Sequence, residues 1–342
     1  MSNLAAVMNR LGSIEIEERD EPVPGPGEVV VQVMAVGICG SDVTYFEHGR
    51  IGQWVVNGPI ILGHEASGVV LECGPEVRRV RPGDRVAIEP GTPCERCTQC
   101  RRGDYHLCPD LVFLATPPYD GALIQRLRIA ERCVYPLPDS MSFDEGALVE
   151  PLSVGLWACR RAGLRPGDDV LVTGAGPIGI LAGCAARALG ARTVTVVDVS
   201  DFRLSIADRL GLRAQRPIDP IERDHDVLLE CSSAQEALIS GLRRLRPGGR
   251  AALVGVPKSE LAQLPLAELV PQEVTVALVN RYAHTWPTAI ALLASGRVPS
   301  EHLVTHHFPL DATAEAFTLP RRNPETLKIV IEPQRLGDPS RR

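Results

Sequence analysis

The chain has 342 residues, 44% hydrophobic and 23% charged, with a formal net charge of -6, enough for a substantial core over about two globular domains. Its acidic residues are spread along the chain, which excludes a phosphate-tracking surface, and no nucleic-acid partner is expected. No run approaches the roughly 20 apolar residues of a membrane span, and residues 1–19 turn acidic without the basic start and apolar core of a secretory signal.

Residues 4–36 read as short strands at 5–9, 14–18 and 29–36, the last preceded by the turn-forming Pro22-Val23-Pro24-Gly25-Pro26-Gly27-Glu28. Gly37-Ile38-Cys39-Gly40-Ser41-Asp42 then breaks the strand. Ser41 or Asp42 is expected to cap a short helix running to about His48, with Cys39 at the strand-to-helix junction. His64-Glu65 follows, ahead of a strand at 66–72. A thiolate, an imidazole and a carboxylate form a borderline-soft donor set that suits zinc, and three ligands leave a fourth position for water or substrate. Taken alone, a single Cys and a His-Glu pair are more often ordinary residues than ligands.

Two later stretches change that balance. After a strand at 85–89, Cys94, Cys97, Cys100 and Cys108 fall in a loop-like segment spaced C-x2-C-x2-C-x7-C. Four thiolates so close can form a tetrahedral shell around one structural zinc. A [4Fe-4S] site stays open as an alternative, since Pro109 follows Cys108, although the last gap is longer than in the bacterial run. A nucleic-acid zinc finger is disfavoured because no basic helix or stacking aromatics accompany the cluster.

At Phe143 the pattern turns helical and continues to Gly155, with Pro151 expected to kink it. Glu150, an acid inside that apolar run, is either a surface residue or a carboxylate beside the metal. The second decisive stretch is a strand at 169–173, then Gly174-Ala175-Gly176-Pro177-Ile178-Gly179, an apolar helix at 180–189, and a strand at 193–197 ending in Asp198. Strand, G-x-G-x-x-G turn, helix, strand and terminal acid within about 30 residues make up a dinucleotide-binding unit. The pyrophosphate would rest on the helix amino terminus. Asp198 would accept hydrogen bonds from the ribose and repel a 2'-phosphate, which favours NAD over NADP, with Arg203 close enough to soften that preference.

The α/β alternation continues through 226–231, 234–245, 250–256 and 274–278. Only fourteen residues separate Gly211 from Asp226, too few for a strand and a full crossover, so the helix between 216 and 225 is expected to be missing or vestigial. Residues 280–293 lead into a helix. Residues 303–309, 312–318 and 327–331 read as strand, helix and strand that rejoin the first domain, and 339–342 as frayed. Ten cysteines without a secretion signal suggest metal and thiol chemistry in a reducing compartment, the cytoplasm. Cys73, Cys133, Cys159, Cys184 and Cys231 read as buried small hydrophobes, and His306-His307 as ordinary surface or core residues.

Together these residues resemble the zinc-containing medium-chain dehydrogenases and, within them, the sorbitol (L-iditol) 2-dehydrogenase group of polyol dehydrogenases. The resemblance covers nearly the whole chain. It is carried by Gly37-Ile38-Cys39-Gly40-Ser41-Asp42-Val43, Leu62-Gly63-His64-Glu65-Ala66-Ser67-Gly68, Ala115-Thr116-Pro117-Pro118, Gly146 to Gly155, Arg281-Tyr282 and Thr285-Trp286-Pro287. It implies an α/β fold: a GroES-like β-rich catalytic domain at 1–145 and 286–342, with a zinc lobe near 90–110, and a doubly wound parallel Rossmann sheet at 146–285, with the active site in the cleft between them. Catalytic zinc would be held by Cys39, His64 and Glu65, with Glu150 at or beside the metal. Ser41 would help move the proton, and Tyr45, Thr116, Glu150, Arg281 and Tyr282 would line the substrate site. NAD would meet Gly174, Gly176, Pro177, Ile178, Gly179, Asp198, Arg203, Val256, Asn280 and Arg281. The implied reaction oxidises a secondary alcohol of a polyol of the sorbitol or xylitol type to a ketose, in a homotetramer or homodimer. The competing readings are another alcohol, such as galactitol, arabinitol, a butanediol or L-threonine, and a non-catalytic zinc- and nucleotide-binding protein.

Three departures stand out. All four lobe cysteines are present, whereas animal sorbitol dehydrogenases have lost most of them, so a second, structural zinc is expected. Thr44 stands where many relatives carry a proton-relay histidine. It cannot titrate near neutrality, which leaves Ser41, the cofactor ribose or water as the exit. Glu230-Cys231-Ser232-Ser233 replaces Glu-Cys-Thr-Gly after the fourth Rossmann strand.

Overall fold

The computed structural model describes residues 2–217, 223–255 and 261–337 and divides into two units, Met1–Glu150 with Val304–Arg342, and Pro151–Leu303. In the first unit β1 (Asn3–Arg10) and β2 (Ser13–Arg19) form an antiparallel pair, and β3 (Glu28–Gly37) buries Val29, Val31, Val33 and Ala35 at the two-residue spacing of a strand face. Helix α1 (Gly40–His48) follows, then β4 (Glu65–Cys73), β5 (Arg85–Ile88), β6 (Arg126–Ala130), β7 (Val134–Pro136) and helix α2 (Phe143–Arg161), whose residues from Pro151 on group with the second unit.

The second unit holds β8 (Asp169–Thr173), α3 (Pro177–Ala188), β9 (Thr193–Val197), α4 (Asp201–Arg209), β10 (Arg213–Gln215), β11 (His225–Glu230), α5 (Gln235–Arg243), β12 (Leu245–Leu253), β13 (Thr275–Leu278) and α6 (Trp286–Ala294). The chain then returns to the first unit with β14 (Val304–Pro309), α7 (Thr313–Arg322) and β15 (Lys328–Glu332).

The first unit's main sheet runs β7-β5-β4-β3-β15-β14, with β6 also on β3. β15 lies antiparallel to the end of β3, Val330 opposite Gly37 and Ile331 opposite Val36, so the last strand is hydrogen-bonded beside Cys39. The second unit's sheet is parallel, in the order β10-β9-β8-β11-β12-β13. This is a doubly wound arrangement whose order reverses between β8 and β11, where such sheets bind ligands at the strand carboxyl ends. Every residue of β8 is buried, as a strand covered on both faces requires.

Several boundaries differ from expectation. α1 begins at Gly40 with Cys39 as its N-cap, and Asp42 instead turns back to accept the Cys39 N–H at 3.1 Å. α2 continues as one element through Pro151 to Arg161, and α3 starts at Pro177, whose fixed φ and missing N–H suit a first helical position. Residues 286–303 group with the second unit, and the first division falls after Glu150. Half of the expected gap between 216 and 225, residues 218–222, lies outside the described residues; of the rest, Arg216, Pro217, Arg223 and Asp224 are neither helix nor strand. The tail at 339–342 lies outside them as well. Of the apolar-patterned cysteines, Cys133, Cys159 and Cys184 are buried, whereas Cys73 and Cys231 are half-buried.

One carboxylate binds the amino-terminal ends of four parallel strands. Asp169 accepts from Arg192 Nε at 2.9 Å, Thr193 Oγ1 at 2.8 Å and Arg246 at 3.0 Å, while its own N–H donates to Asp226 at 2.8 Å. The Arg192 guanidinium, with Thr193 and Arg246, holds the Asp169 carboxyl well below the usual carboxylate range against the effect of burial. A depressed folded-state pKa contributes stability above the unfolded value of about 3.9, and this is lost as pH falls through the folded value. Asp169→Asn should therefore cost about 1 kcal/mol at neutral pH, allowing for its solvent-exposed guanidinium partners, or roughly 2–4 °C in Tm. The gap between the melting curves of the two proteins should narrow progressively as pH falls below about 4; an equal gap at all pH values would refute the assignment.

Candidate functional site

The first constellation grows from the end of β3 and the start of β4. Gly37 faces Glu65 so closely that a Cβ there would stand 2.1 Å from Glu65 Oε2; only glycine leaves the carboxylate its place. Gly63, at φ +86, turns the chain into His64 in a conformation that favours glycine. One sulfur, ring-nitrogen or carboxylate-oxygen atom from each of Cys39, His64 and Glu65 lies within 4.8 Å of the others, with His64 and Glu65 buried.

Asp42 and Lys328, two residues that sequence reasoning missed as parts of the site, orient this trio. Asp42 is buried, its Oδ1 3.4 Å from His64 Nδ1 and accepting the Gly63 N–H at 3.0 Å. That contact occupies Nδ1 and leaves Nε2 for a metal. Burial opposes charge on the His64 ring, yet the Asp42 carboxylate and Cys39 outweigh it and hold the imidazole well above its ordinary pKa. The ring therefore takes a proton where a cation would otherwise sit, and the donor set fits zinc. Lys328, at the head of β15 before Ile329-Val330-Ile331, donates from Nζ to both Glu65 oxygens at 2.8 and 2.6 Å and to the Ile38 carbonyl at 3.0 Å. The signal available in the sequence was a lone lysine within Leu327-Lys328-Ile329-Val330-Ile331.

Glu150 is buried and lies near enough to Lys328 for its negative charge to favour the ammonium form. Its placement follows from α2: a Cβ on Gly146 would meet Ser67 Cβ at 2.7 Å, so the helix closes on β4 there, and Glu150 is on the same helical face one turn later. Tyr45 is buried on α1, and Ser41 and Thr116 are half-buried. The Thr44 hydroxyl donates to the Gly40 carbonyl at 2.9 Å, so its proton is committed within the helix. Phe113, also missed, sets its ring 5.8 Å from that of His64 and forms an apolar wall.

The four lobe cysteines also present sulfurs within 4.8 Å of one another. A tetrahedral zinc–thiolate shell has sulfurs about 3.8 Å apart, and Cys97 and Cys100 stand at 3.4 Å. A single ion fits inside this quartet; a four-iron cube with its own sulfides does not. Backbone N–H groups of Arg96 and Cys97 pull the Cys94 thiol down to about 7, while burial and neighbouring thiols push Cys100 up to about 12. Four thiolates there need a cation to share. The lobe is fixed to the sheet by Glu89, which accepts from the Tyr105 and Tyr135 hydroxyls at 2.8 Å each, and by Arg132, which donates to the Pro93 carbonyl at 3.0 Å.

The nucleotide turn lies in the second unit. Gly174, at φ +90, presses on Ser232 backbone, where a Cβ would meet it at 2.9 Å, and a Cβ on Gly179 would fall 1.8 Å from the Gly174 carbonyl oxygen. Gly176 is the N-cap of α3, and a Cβ there would meet nothing within 4 Å; this open side is a cradle at a helix amino terminus, the kind of place a pyrophosphate takes. Asp198 at the end of β9 accepts the Ala175 N–H at 2.6 Å and the Ser200 N–H at 2.8 Å, which fixes the turn and leaves further lone pairs for a ribose. Pro177, Ile178 and Arg203 are half-buried, Asn280 is exposed, Arg281 half-buried at φ +54 and Tyr282 buried; Val256 lies outside the described residues. Arg281 and Tyr282 belong to the second unit, the metal-binding candidates to the first.

Comparison with known proteins agrees with both constellations. Residues 25–139 match the alcohol dehydrogenase GroES-like domain and residues 177–295 the zinc-binding dehydrogenase domain. The chain is 43% identical to sorbitol dehydrogenase of Gallus gallus, covering 96% of both chains, and 42% identical to that of Bacillus subtilis (strain 168), covering 97% of both. A crystal structure of an Escherichia coli oxidoreductase/dehydrogenase of unknown specificity superposes with a TM-score of 0.91 at 36% identity, covering 97% of this chain and 99% of that one. With a GroES-like unit, a doubly wound parallel sheet and 43% identity to a sorbitol dehydrogenase over nearly the whole chain, the chain belongs to the zinc-binding medium-chain dehydrogenases.

Proposed function

We propose that the protein oxidises a secondary alcohol of a polyol to a ketose, with Cys39, His64 and Glu65 holding zinc and the Gly174–Gly179 turn holding NAD. The observation that carries this reading is the convergence of those three ligand atoms within 4.8 Å in a chain 43% identical to a sorbitol dehydrogenase. When bound, zinc supplies Lewis acidity that eases loss of the hydroxyl proton, and NAD accepts the hydride. Asp42 keeps His64 in one orientation, and Glu150 offers an acceptor to a second substrate hydroxyl. Phe113 excludes water from one side of His64, Tyr45 and Thr116 shape the substrate site, and Ser41 passes the proton on, since the Thr44 hydroxyl is committed to Gly40. Asp198 is the acceptor for the cofactor ribose and favours NAD, with Arg203, Asn280 and Arg281 as further cofactor contacts and Tyr282 beside them.

Residues 1–150 with 304–337 then serve as the catalytic unit and 151–303 as the nucleotide unit. Among the described residues no helix is long and apolar enough to cross a membrane, and the ten cysteines suit the reducing cytoplasm. A homo-oligomer, a tetramer or dimer, is supported by the sheet edge at β13, where Leu278 is 72% exposed, and by the nearby exposed Leu266 and Val270.

The test is NADH formation across polyols, diols, simple alcohols and L-threonine, with and without a zinc chelator. Turnover of one stereochemical set of polyols, abolished by chelation and restored by zinc, is the expected result. Turnover confined to a butanediol or L-threonine would move the substrate assignment, and no turnover of any of them with zinc bound would overturn the catalytic reading.

A further inference from the structure

We infer that Lys328 is a positioning residue for the metal centre, fixing the Glu65 carboxylate from behind so that the three ligands converge before the metal arrives. The inference rests on the reading that Cys39, His64 and Glu65 hold zinc, and it goes further by giving that centre a part contributed by the last strand. Lys328 is 2% exposed and Glu65 fully buried. The ammonium has three protons, and each has a partner: Glu65 Oε1, Glu65 Oε2 and the carbonyl of Ile38, the residue before Cys39. A carboxylate has about four lone-pair sites, so Glu65 can be held by Lys328 on one side and still present an oxygen to a metal on the other.

The position of Lys328 is set independently of that contact. β15 pairs with β3 through Val330 and Gly37, and the Ile38 N–H donates to the Ile329 carbonyl at 2.9 Å. Gly37, lacking a Cβ, lets Glu65 reach across to Lys328. An isolated buried ion pair is a weak stabiliser that apolar residues can often replace. Here the carboxylate is a member of the proposed ligand trio, and without Lys328 both Glu65 oxygens lose the donor that fixes their direction. Loss of such an orienting partner typically weakens metal binding by about 10- to 100-fold.

The test is chelator competition on purified full-length wild type, K328M, E65Q, E65Q/K328M and C39S, reading the affinity of each bound zinc, with melting curves alongside. Wild type should hold two zinc ions and C39S one. K328M should weaken one ion by about 10- to 100-fold and leave the other unchanged, and in the E65Q background K328M should add no further loss. Unchanged affinities in K328M, even with a lowered Tm, would overturn the inference by showing a purely structural pair; so would a further loss in E65Q/K328M beyond E65Q, a comparison that stands even if K328M alone fails to fold. If wild type and C39S held the same number of zinc ions, the metal-site reading itself would fail, and the inference with it.

Discussion

Cys39→Ser should lower kcat/KM by about a thousandfold, the equivalent of about 4 kcal/mol of barrier, while leaving the fold and the lobe zinc in place. The Asp42 carboxylate accepts the Cys39 and Gly63 N–H groups, and these bonds do not involve the Cys39 sulfur. Serine keeps the size and loses the soft donor. His64→Ala should lose as much activity and also some stability, about 1–3 kcal/mol, because the buried Asp42 then lacks one partner. Steady-state rates, zinc content and melting curves of the two variants separate the effects. Full activity in either variant would remove the zinc assignment.

The second large effect is at the nucleotide turn, where two glycines three residues apart should behave differently. A methyl at Gly179 would stand 1.8 Å from the Gly174 carbonyl oxygen, a backbone atom that cannot step aside. Gly179→Ala should force α3 away from the turn, costing about 3 kcal/mol and abolishing NADH binding. Gly176 has an ordinary φ of -69 and open space around it. Gly176→Ala should keep stability within about 1 kcal/mol yet weaken NADH binding by about tenfold or more, since the methyl enters the side where the pyrophosphate backbone must approach. Fluorescence titration with NADH and thermal melting measure both quantities. Unchanged NADH affinity in Gly176→Ala would show that the dinucleotide lies elsewhere.

These expectations show what the sequence could and could not reveal. The parallel sheet was legible because strand, glycine turn, helix and acid are local: each signal lies within about 30 residues of the next. The cysteine quartet was legible because four thiols in that spacing have few other uses, whereas Cys39, His64 and Glu65, ordinary on their own, were singled out only by the context that the quartet and the glycine turn supply. Lys328 was not, because its partner Glu65 lies 263 positions away and a polar residue in a buried strand reads as an interruption of the pattern. Asp42 was taken for a possible cap, its local role, and its contact with His64 depends on a turn at Gly63 that no periodicity announces. The start of α1 was displaced for the same reason, with Asp42 folding back on Cys39 and not capping ahead of itself. Phe113 looked like one more apolar residue in a loop until its ring was placed against His64.

The return of β15 to the first unit also bears on how the gene tolerates truncation. A stop codon after Leu327 would leave all three candidate ligands, the lobe and the whole of the second unit, yet it would delete one of the strands paired with β3 and the ammonium behind Glu65. The last strand is thus no dispensable segment, since the cation that holds Glu65 enters the chain 263 positions after the carboxylate it holds.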